Sequence, residues 1–265
     1  MTANHKPDMP SPQSDMAWQC LADELAARPW LRIWWRDDDA AFIHPLHAVL
    51  RLVARHRLEA MLDVLERYRM PTLVAVVPYK FLNGARPLAR LLAQRGAPVA
   101  VHGLRHRSRL PGGANEFPPG LDDERQCALI LQAHRELAMV YGPKALPVFV
   151  PPYNTMSPAL ACLLEAQGLV ISARNPDPCA PESNDRHVDY DFVDWRARRL
   201  LPHDRILRDL TRLVQSGRRS LGLNGHHKLI TRRDRAFFAR LFACIDQCRG
   251  AQTDLPFPAA PFIAG

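Results

Sequence analysis

Side chains that can bind a metal ion follow two apolar stretches of the sequence. Asp37, Asp38 and Asp39 stand directly after one stretch, and three adjacent carboxylates repel one another unless a cation relieves the repulsion. His102 and His106 follow another stretch and are four residues apart, a spacing found in metal-binding histidine pairs. Two imidazoles and one carboxylate form a three-ligand site with open positions, as in catalytic zinc centres. The sequence therefore predicts one bound divalent metal ion, with zinc as the expected species.

Further polar residues follow three other apolar stretches. They are Pro151, Pro152, Tyr153 and Asn154, then Asp191, Asp194 and Trp195, and finally Asn224, His226 and His227. In parallel α/β folds the functional residues gather at the carboxyl ends of the strands. We therefore expect these residues to share one site with the aspartates and the histidine pair.

The elements that must position these residues alternate between apolar strands and helices. Strands are predicted at residues 31–36, 72–78, 97–103, 146–152, 169–174 and 220–225, with an edge strand within 187–195. Helices are predicted at residues 15–28, 44–69 (one long helix or two), 86–96, 121–142, 157–168, 203–217 and 232–249. This α/β alternation predicts a barrel of six or seven parallel strands, closed or nearly closed and covered by helices. An open, doubly wound sheet is the alternative.

The composition is that of a globular protein with a basic surface. The 265 residues carry a formal net charge of +8, and 47% of them are hydrophobic. We expect a single domain at residues 15–250, between a disordered tail at 1–14 and a C-terminal tail at 251–265. The first residues lack the apolar segment of a secretory signal, so we expect a cytoplasmic location. No apolar run approaches the roughly 20 residues of a membrane span, and no motif for binding nucleic acid is visible.

The order of the polar motifs resembles that of the polysaccharide deacetylases, the NodB-homology family of carbohydrate esterases. Five motifs carry the resemblance: Asp37-Asp38, His102-Gly-Leu-Arg-His106, Val150-Pro151-Pro152-Tyr153, Asp191 to Trp195, and Leu223-Asn224-Gly225-His226. They span about residues 30–230. The resemblance implies a distorted (β/α) barrel of the NodB type. It also implies a metal-dependent hydrolase that removes the N-acetyl group from an acetylated amino sugar or glycan.

The chain departs from the family motifs in ways that concern the acidic cluster and the histidine motif. The family has an arginine at the position of Val150, where it pairs with the catalytic aspartate, and Arg36 is a candidate substitute. Gly103 stands where the family usually has a hydroxyl residue. Three adjacent aspartates can form the family's pair in three ways. The possible pairs are 37/38, 38/39 and 37/39, and we rank Asp38 first as the metal ligand.

The first three motifs supply the groups that would attack an amide. A metal ion held by Asp38, His102 and His106 would polarise the carbonyl and acidify a water molecule. Asp37 would take the proton of that water as general base. By resemblance, the backbone N–H of Tyr153 would stabilise the tetrahedral oxyanion.

The last two motifs supply the group that would release the amine. His226 would protonate the departing nitrogen as general acid, with Asp194 holding its imidazole and Trp195 forming a wall. His227 competes for this role, and only one of the two can face the site because adjacent strand residues point to opposite sides.

Two other functions compatible with these residues remain open. A metal-dependent phosphoesterase or nuclease could use the same Asp/His site, and the basic charge mildly favours an anionic substrate. A sugar-binding barrel that has lost its activity is the second alternative, because Val150 replaces the family's arginine. One bound metal ion would favour the deacetylase, and two would favour the phosphoesterase. The expected partner is an N-acetylated glycan or a sugar precursor, including a lipid- or phosphate-linked one.

Overall fold

The structure, a computed structural model, describes residues 12–41, 48–78, 85–180, 184–250 and 254–258. Most of the two predicted tails, residues 1–14 and 251–265, therefore lies outside the described residues. Helix α1 begins at Pro12, so it starts inside the predicted N-terminal tail. Inside the predicted C-terminal tail, Phe257 is buried and packs edge-on against Trp34. None of the helices in the described ranges combines the length and the apolar character needed to cross a membrane.

Seven parallel strands form the main sheet. The strands of the described ranges are β1 (Arg32–Ala40), β2 (Thr72–Val76), β3 (Val99–His102), β4 (Ala145–Val150), β5 (Val170–Ile171), β6 (Tyr190–Asp191), β7 (Val193–Asp194), β8 (Arg199–Leu200) and β9 (Ser220–Gly225). The order in the sheet is β5-β4-β3-β2-β1-β9-β6, and β7 pairs with β8 in a separate antiparallel hairpin. The predicted barrel of six or seven parallel strands is confirmed. The predicted edge strand within 187–195 is confirmed as β6 at one edge of the main sheet, and a second short strand, β7, follows it in the same range.

The main sheet curls until its two edges meet at one point. Arg174, beyond β5, and Val188, before β6, form a parallel bridge. The N–H of Val188 donates to the carbonyl of Ala173 at 2.9 Å, and the N–H of Asn175 donates to the carbonyl of Val188 at 2.8 Å. The barrel is therefore distorted, since one bridge replaces a full pair of strands.

Helices cover the outer face of the sheet, as predicted. They are α1 (Pro12–Ala26), α2 (Ala48–Arg67), α3 (Ala85–Arg95), α4 (Asp123–Tyr141), α5 (Pro158–Ala166), α6 (His203–Gln215) and α7 (Arg232–Cys248). Side chains cap the starts of α4, α5 and α7. The carboxylate of Asp122 caps α4, and the hydroxyl of Ser157 caps α5, whose first residue is a proline. Thr231 and Asp234 form a capping box at α7.

Alternation along β1 separates two faces of the barrel wall. Trp35 packs against Phe238 and Phe242 of α7, so its side of the strand faces the helices. Trp34 belongs to a smaller cluster formed by side chains of the inner sheet face. Because strand side chains alternate, Arg36 and Asp38 lie on the inner face with Trp34, and Asp37 lies on the outer face with Trp35.

A bulge near the end of β1 interrupts this alternation. Asp37 pairs with Val74 and Ala40 with Val76, so β1 contains one more residue than β2 between these two pairs. Asp39, within the bulge, has a left-handed backbone with φ 65°. A bulge re-aims the side chain that it contains. Asp39 therefore does not follow the orientation that simple alternation assigns to it.

Candidate functional site

Asp39, His102 and His106 lie together at the carboxyl ends of β1 and β3. Oδ1 of Asp39 is 3.4 Å from Nε2 of His102 and 3.1 Å from Nε2 of His106. The three ligand atoms all lie within 4.8 Å of one another, so one ion can contact all of them. Nδ1 of His102 lies 3.0 Å from the carbonyl oxygen of Val150, which fixes the ring with Nε2 towards the cluster. One carboxylate and two imidazoles suit zinc, so these residues fit the predicted metal.

The charges of this cluster support one another. Burial disfavours the ionised form of Asp39, but His102, Lys228 and His106 together hold its pKa well below the ordinary range. Burial likewise disfavours the protonated form of His102, but Asp39 and Asp38 raise its pKa above the usual value. The carboxylate therefore remains ionised beside groups that supply positive charge. A divalent cation would supply that charge in place of the imidazolium groups.

The structure pairs Asp38 with Arg36 rather than with the histidine pair. Nε and Nη2 of Arg36 donate to the two carboxylate oxygens of Asp38 at 2.8 and 2.9 Å. Burial raises the pKa of Asp38, but Arg36 and then His102 and His226 outweigh this effect and lower it. The observed cluster thus contains Asp39 where the sequence predicted Asp38, because the β1 bulge turns Asp39 towards the histidines.

Arg36 also connects this carboxylate to two loops. Its Nη1 donates to the carbonyl oxygens of Ser172 and Ala173 at 2.7 and 3.2 Å, and its Nη2 donates to Oδ1 of Asn154 at 3.0 Å. The guanidinium therefore lies beside an inward-facing aspartate, as expected of a substitute for the family's arginine. Val150, at the family's arginine position, is buried in β4.

Asp37 forms a separate, fully buried pair with His227. Nδ1 of His227 lies 2.5 Å from Oδ1 of Asp37, and both side chains have no exposed surface. Neither Oδ2 of Asp37 nor Nε2 of His227 has a hydrogen-bond partner within the described ranges. Both residues lie on the outer side of the barrel wall. The structure therefore does not bring Asp37, the predicted general base, to the metal-ligand cluster.

His226 faces the inside of the barrel, opposite to its neighbour His227. It lies close enough to Asp38 to lower the pKa of that carboxyl group. The ring of Trp195 packs edge-on against His226, with 4.6 Å between the ring centroids. The predicted acid and the predicted wall are therefore adjacent in the structure.

The carboxylate nearest to this imidazole belongs to Asp191 rather than to Asp194. Oδ1 of Asp191 lies 3.9 Å from Nδ1 of His226, and its Oδ2 accepts a 2.8 Å hydrogen bond from Nε1 of Trp195. Asp194 instead accepts the backbone N–H groups of two following residues, Arg196 and Ala197, at 3.0 and 3.1 Å. The difference arises because β6 ends at Asp191, beside β9, whereas Asp194 lies in the β7–β8 hairpin.

Sequence analysis missed Glu116, which organises the loop between His102 and His106. Its buried carboxylate accepts the backbone N–H groups of Leu104, Arg105 and His106 at 3.3, 2.8 and 3.1 Å. Gly103 has φ +60°, and a Cβ at this position would overlap Oε2 of Glu116. The carboxylate thus fills the space beside the motif's unusual glycine. That glycine was the one available signal, and it does not identify the distant partner.

Tyr153 completes the wall around the histidine pair. Its ring centroid lies 4.7 Å from that of His106. Four non-glycine residues with positive φ lie at the site: Asp39 (65°), His106 (52°), Tyr153 (59°) and Asn154 (57°). Such backbone strain persists only where the surrounding structure enforces it, and it concentrates at functional sites. The proposed role of the Tyr153 N–H as an oxyanion donor stays a prediction.

Comparisons with known proteins bear on the family and the fold. The family model described as polysaccharide deacetylase matches residues 50–171, a segment that contains His102, His106 and Tyr153. The predicted resemblance to the polysaccharide deacetylases is confirmed. No curated protein matches the chain.

Solved structures of polysaccharide deacetylases share the fold. A Mycobacterium smegmatis protein with a provisional assignment to these enzymes is 18% identical, with a TM-score of 0.61, covering 84% of this chain and 86% of its own. The Bc1960 peptidoglycan N-acetylglucosamine deacetylase is 12% identical, with a TM-score of 0.53 and 82% of each chain covered. The Bacillus anthracis protein BA3943, a family 4 carbohydrate esterase pseudoenzyme, is 12% identical, with a TM-score of 0.54, covering 82% of this chain and 61% of its own. At these identities the likeness concerns the fold alone.

Proposed function

We propose that the protein is a metal-dependent hydrolase that removes the N-acetyl group from an acetylated amino sugar or glycan. The observation that carries the proposal is the convergence of three groups at one end of the barrel. These are the Asp39–His102–His106 cluster, the Arg36-paired carboxylate of Asp38, and His226. Together they provide a cation site, a proton acceptor and a proton donor, which are the three components of amide hydrolysis.

Asp39, His102 and His106 would hold the metal ion, with zinc as the proposed species. When bound, such an ion supplies a Lewis acid that polarises the amide carbonyl and lowers the pKa of water. The neighbouring Asp38 would be the general base in place of Asp37. Asp38 lies on the inner face, and Arg36 keeps it ionised and correctly oriented. The carboxylate oxygen of Asp38 would accept the proton that the attacking water loses.

The departing amine requires a proton when the C–N bond breaks. His226 would donate it from its imidazole, and Asp191 is the charged group placed to orient that ring. The products would be acetate, which keeps the water oxygen, and the free amino sugar. The N–H of Tyr153 would contribute a hydrogen bond to the developing oxyanion.

The proposed physiological substrate is an N-acetylated glycan or its precursor, including a lipid- or phosphate-linked form. The Bc1960 structure is named as a peptidoglycan N-acetylglucosamine deacetylase, which supports a glycan of this class. A cytoplasmic location is also part of the proposal. All six cysteines, each of them within the described ranges, are free thiols, as expected in a reducing compartment. Cell fractionation would test this location.

Metal analysis combined with acetate release tests the proposed function. Purified protein should contain one divalent ion per chain and release acetate from N-acetylated chitooligosaccharides. Chelation should abolish that release, and added zinc should restore it. Two ions per chain with phosphate release from phosphoesters would support the phosphoesterase alternative. A bound ion without release of acetate from any N-acetylated glycan would support a sugar-binding barrel without activity.

A further inference from the structure

A cleft lined by four arginines and four aspartates adjoins the side of the candidate site where His226 lies. Its volume is about 680 Å³, a size that accepts a small ligand. Asp191 and Trp195 line this cleft and also contact or flank His226, so the cleft borders the site. Four arginines are among the lining residues: Arg174, Arg196, Arg205 and Arg212.

The carboxylates of this cleft are already engaged by protein groups. Asp189 is buried and accepts from Arg218 at 2.7 Å and from the N–H of Gly222 at 2.7 Å. Asp209 accepts from the hydroxyl of Tyr190 at 3.2 Å. Asp191 accepts a hydrogen bond from the indole N–H of Trp195, and Asp194 accepts one from the backbone N–H of Arg196. Each of these carboxylates therefore accepts at least one hydrogen bond from a protein group.

The arginines of the cleft are much less engaged. Arg205 forms only a long, exposed ion pair with Asp209, at 3.4 Å. Arg174, Arg196 and Arg212 are exposed and form no ion pair with any side chain in the part of the chain that the structure describes. Arg205 and Arg212 are seven residues apart on α6 and therefore share one face of that helix. Three of the four arginines that line the cleft therefore have no side-chain ion pair within the described ranges.

We propose that this cleft is an anion subsite that binds a phosphate or carboxylate group on the glycan part of the substrate. The inference rests on the proposed function, because His226 would protonate the leaving nitrogen. The sugar stays attached to that nitrogen, so the sugar must lie on the His226 side, and its substituents extend towards the arginines. Guanidinium groups bind phosphate and carboxylate through paired hydrogen bonds. The half-exposed ring of Trp195 lies between the two regions as a surface for the sugar.

Binding measurements with defined sugars test the subsite without requiring turnover. Calorimetry would compare N-acetylglucosamine 1-phosphate, an N-acetylated disaccharide that contains glucuronate, and neutral N,N′-diacetylchitobiose. We expect both anionic ligands to bind about tenfold more tightly than the neutral sugar. A Kd advantage for the phosphate alone would identify a phosphate-linked substrate, and an advantage for the glucuronate alone would identify an acidic glycan. Equal Kd values for all three ligands would overturn the proposal.

Variants assign this preference to the arginines. The double substitution Arg174→Gln and Arg212→Gln should reduce the anionic-over-neutral preference about tenfold, in Kd and in kcat/KM. Added salt should weaken the wild-type preference in the same way. Arg135→Gln removes an exposed arginine of α4, a helix that packs against β3 and β4 and does not line the cleft, and serves as the matched control. An equal loss of the anionic-over-neutral preference in the control and in the double variant would contradict the assignment. Arg212→Glu provides a second variant of the same cleft.

The outcomes separate this inference from the proposed function. Release of acetate from neutral glycans without any anionic preference would refute the subsite and leave the deacetylase proposal intact. Arginine-dependent binding of the anionic sugars without acetate release from any of them would refute the deacetylase proposal and leave the subsite intact.

Discussion

The two sides of the candidate site differ in how firmly the protein holds them. On the metal side, Glu116 accepts three backbone N–H groups, and the ring of His102 contacts the carbonyl of Val150. On the acid side, the carboxylate nearest His226 is 3.9 Å away, beyond hydrogen-bond distance. Asn224 of β9 pairs with Asp191 of β6, and its side chain has no hydrogen-bond partner within the described ranges.

This difference matches the work that each side would do. A metal ion requires ligands fixed to within a few tenths of an ångström. A general acid must approach a leaving group that moves as its bond breaks, and apo geometry is often loose at such residues. We therefore expect substitutions on the metal side to alter ion binding, and substitutions on the acid side to alter turnover with the ion still bound.

The largest expected effect belongs to the carboxylate between the two sides. Asp38→Asn should reduce kcat for acetate release by about 10²–10⁴-fold while the protein keeps its metal, because the variant loses the proton acceptor. Asp37→Asn makes the same chemical change one residue away, in the buried pair, and should keep both turnover and metal. Turnover that depends on Asp37 but not on Asp38 would restore the assignment predicted from the sequence.

His226→Ala should have the next largest effect and should be selective for substrate type. An amine is a poor leaving group without a proton donor, so amide hydrolysis should fall by about 10²-fold or more. Hydrolysis of an activated aryl acetate should fall much less. Rate assays on both substrates check this expectation. Equal losses on the two substrates would show that His226 orients the substrate instead.

On the metal side, Glu116→Ala should weaken zinc affinity by about 10- to 100-fold, because the His102–His106 loop loses its acceptor. Competition with a zinc chelator measures this change. Glu124→Ala removes an exposed carboxylate from the first turn of α4 and is the control. Unchanged affinity in the Glu116 variant would mean that the loop keeps its shape without this carboxylate.

The smallest effect concerns the start of α7, the helix that follows the acid side. Partial burial opposes ionisation of Asp234, but His203 and Thr231 lower its pKa to about 2. A lowered pKa stabilises the fold above the ordinary value of about 4, and this contribution is lost as the pH falls towards 2. Asp234→Asn should therefore cost about 1 kcal/mol of unfolding free energy at pH 7 and almost nothing near pH 2. Denaturant titrations at both pH values check the sign, and an equal cost at both would contradict it.

Sequence analysis anticipated the barrel because periodic apolar segments and helix caps are local signals. The helix predicted at residues 157–168 corresponds to α5 (Pro158–Ala166), which Ser157 caps. The ends of the strands also indicated which residues would meet. His102 and His106 did meet, and His226 turned inwards while His227 turned outwards.

The sequence did not reveal which aspartate meets the histidines. The decisive feature is one extra residue in β1, with positive φ at Asp39, and its position depends on pairing with β2. The role of Glu116 depends on a long loop that no local pattern describes. The sequence predicted Asp194 beside His226, whereas the structure has Asp191 there. This difference arises from the strand break between β6 and β7, where a single strand was predicted.

Metal content of two aspartate variants tests the central claim most directly. The claim is that the β1 bulge makes Asp39 the carboxylate ligand and leaves Asp38 paired with Arg36. Zinc per chain, measured after dialysis against a weak chelator, should be near one for the wild type and for Asp38→Ala, and near zero for Asp39→Ala. A full equivalent in Asp39→Ala together with loss in Asp38→Ala would contradict the account.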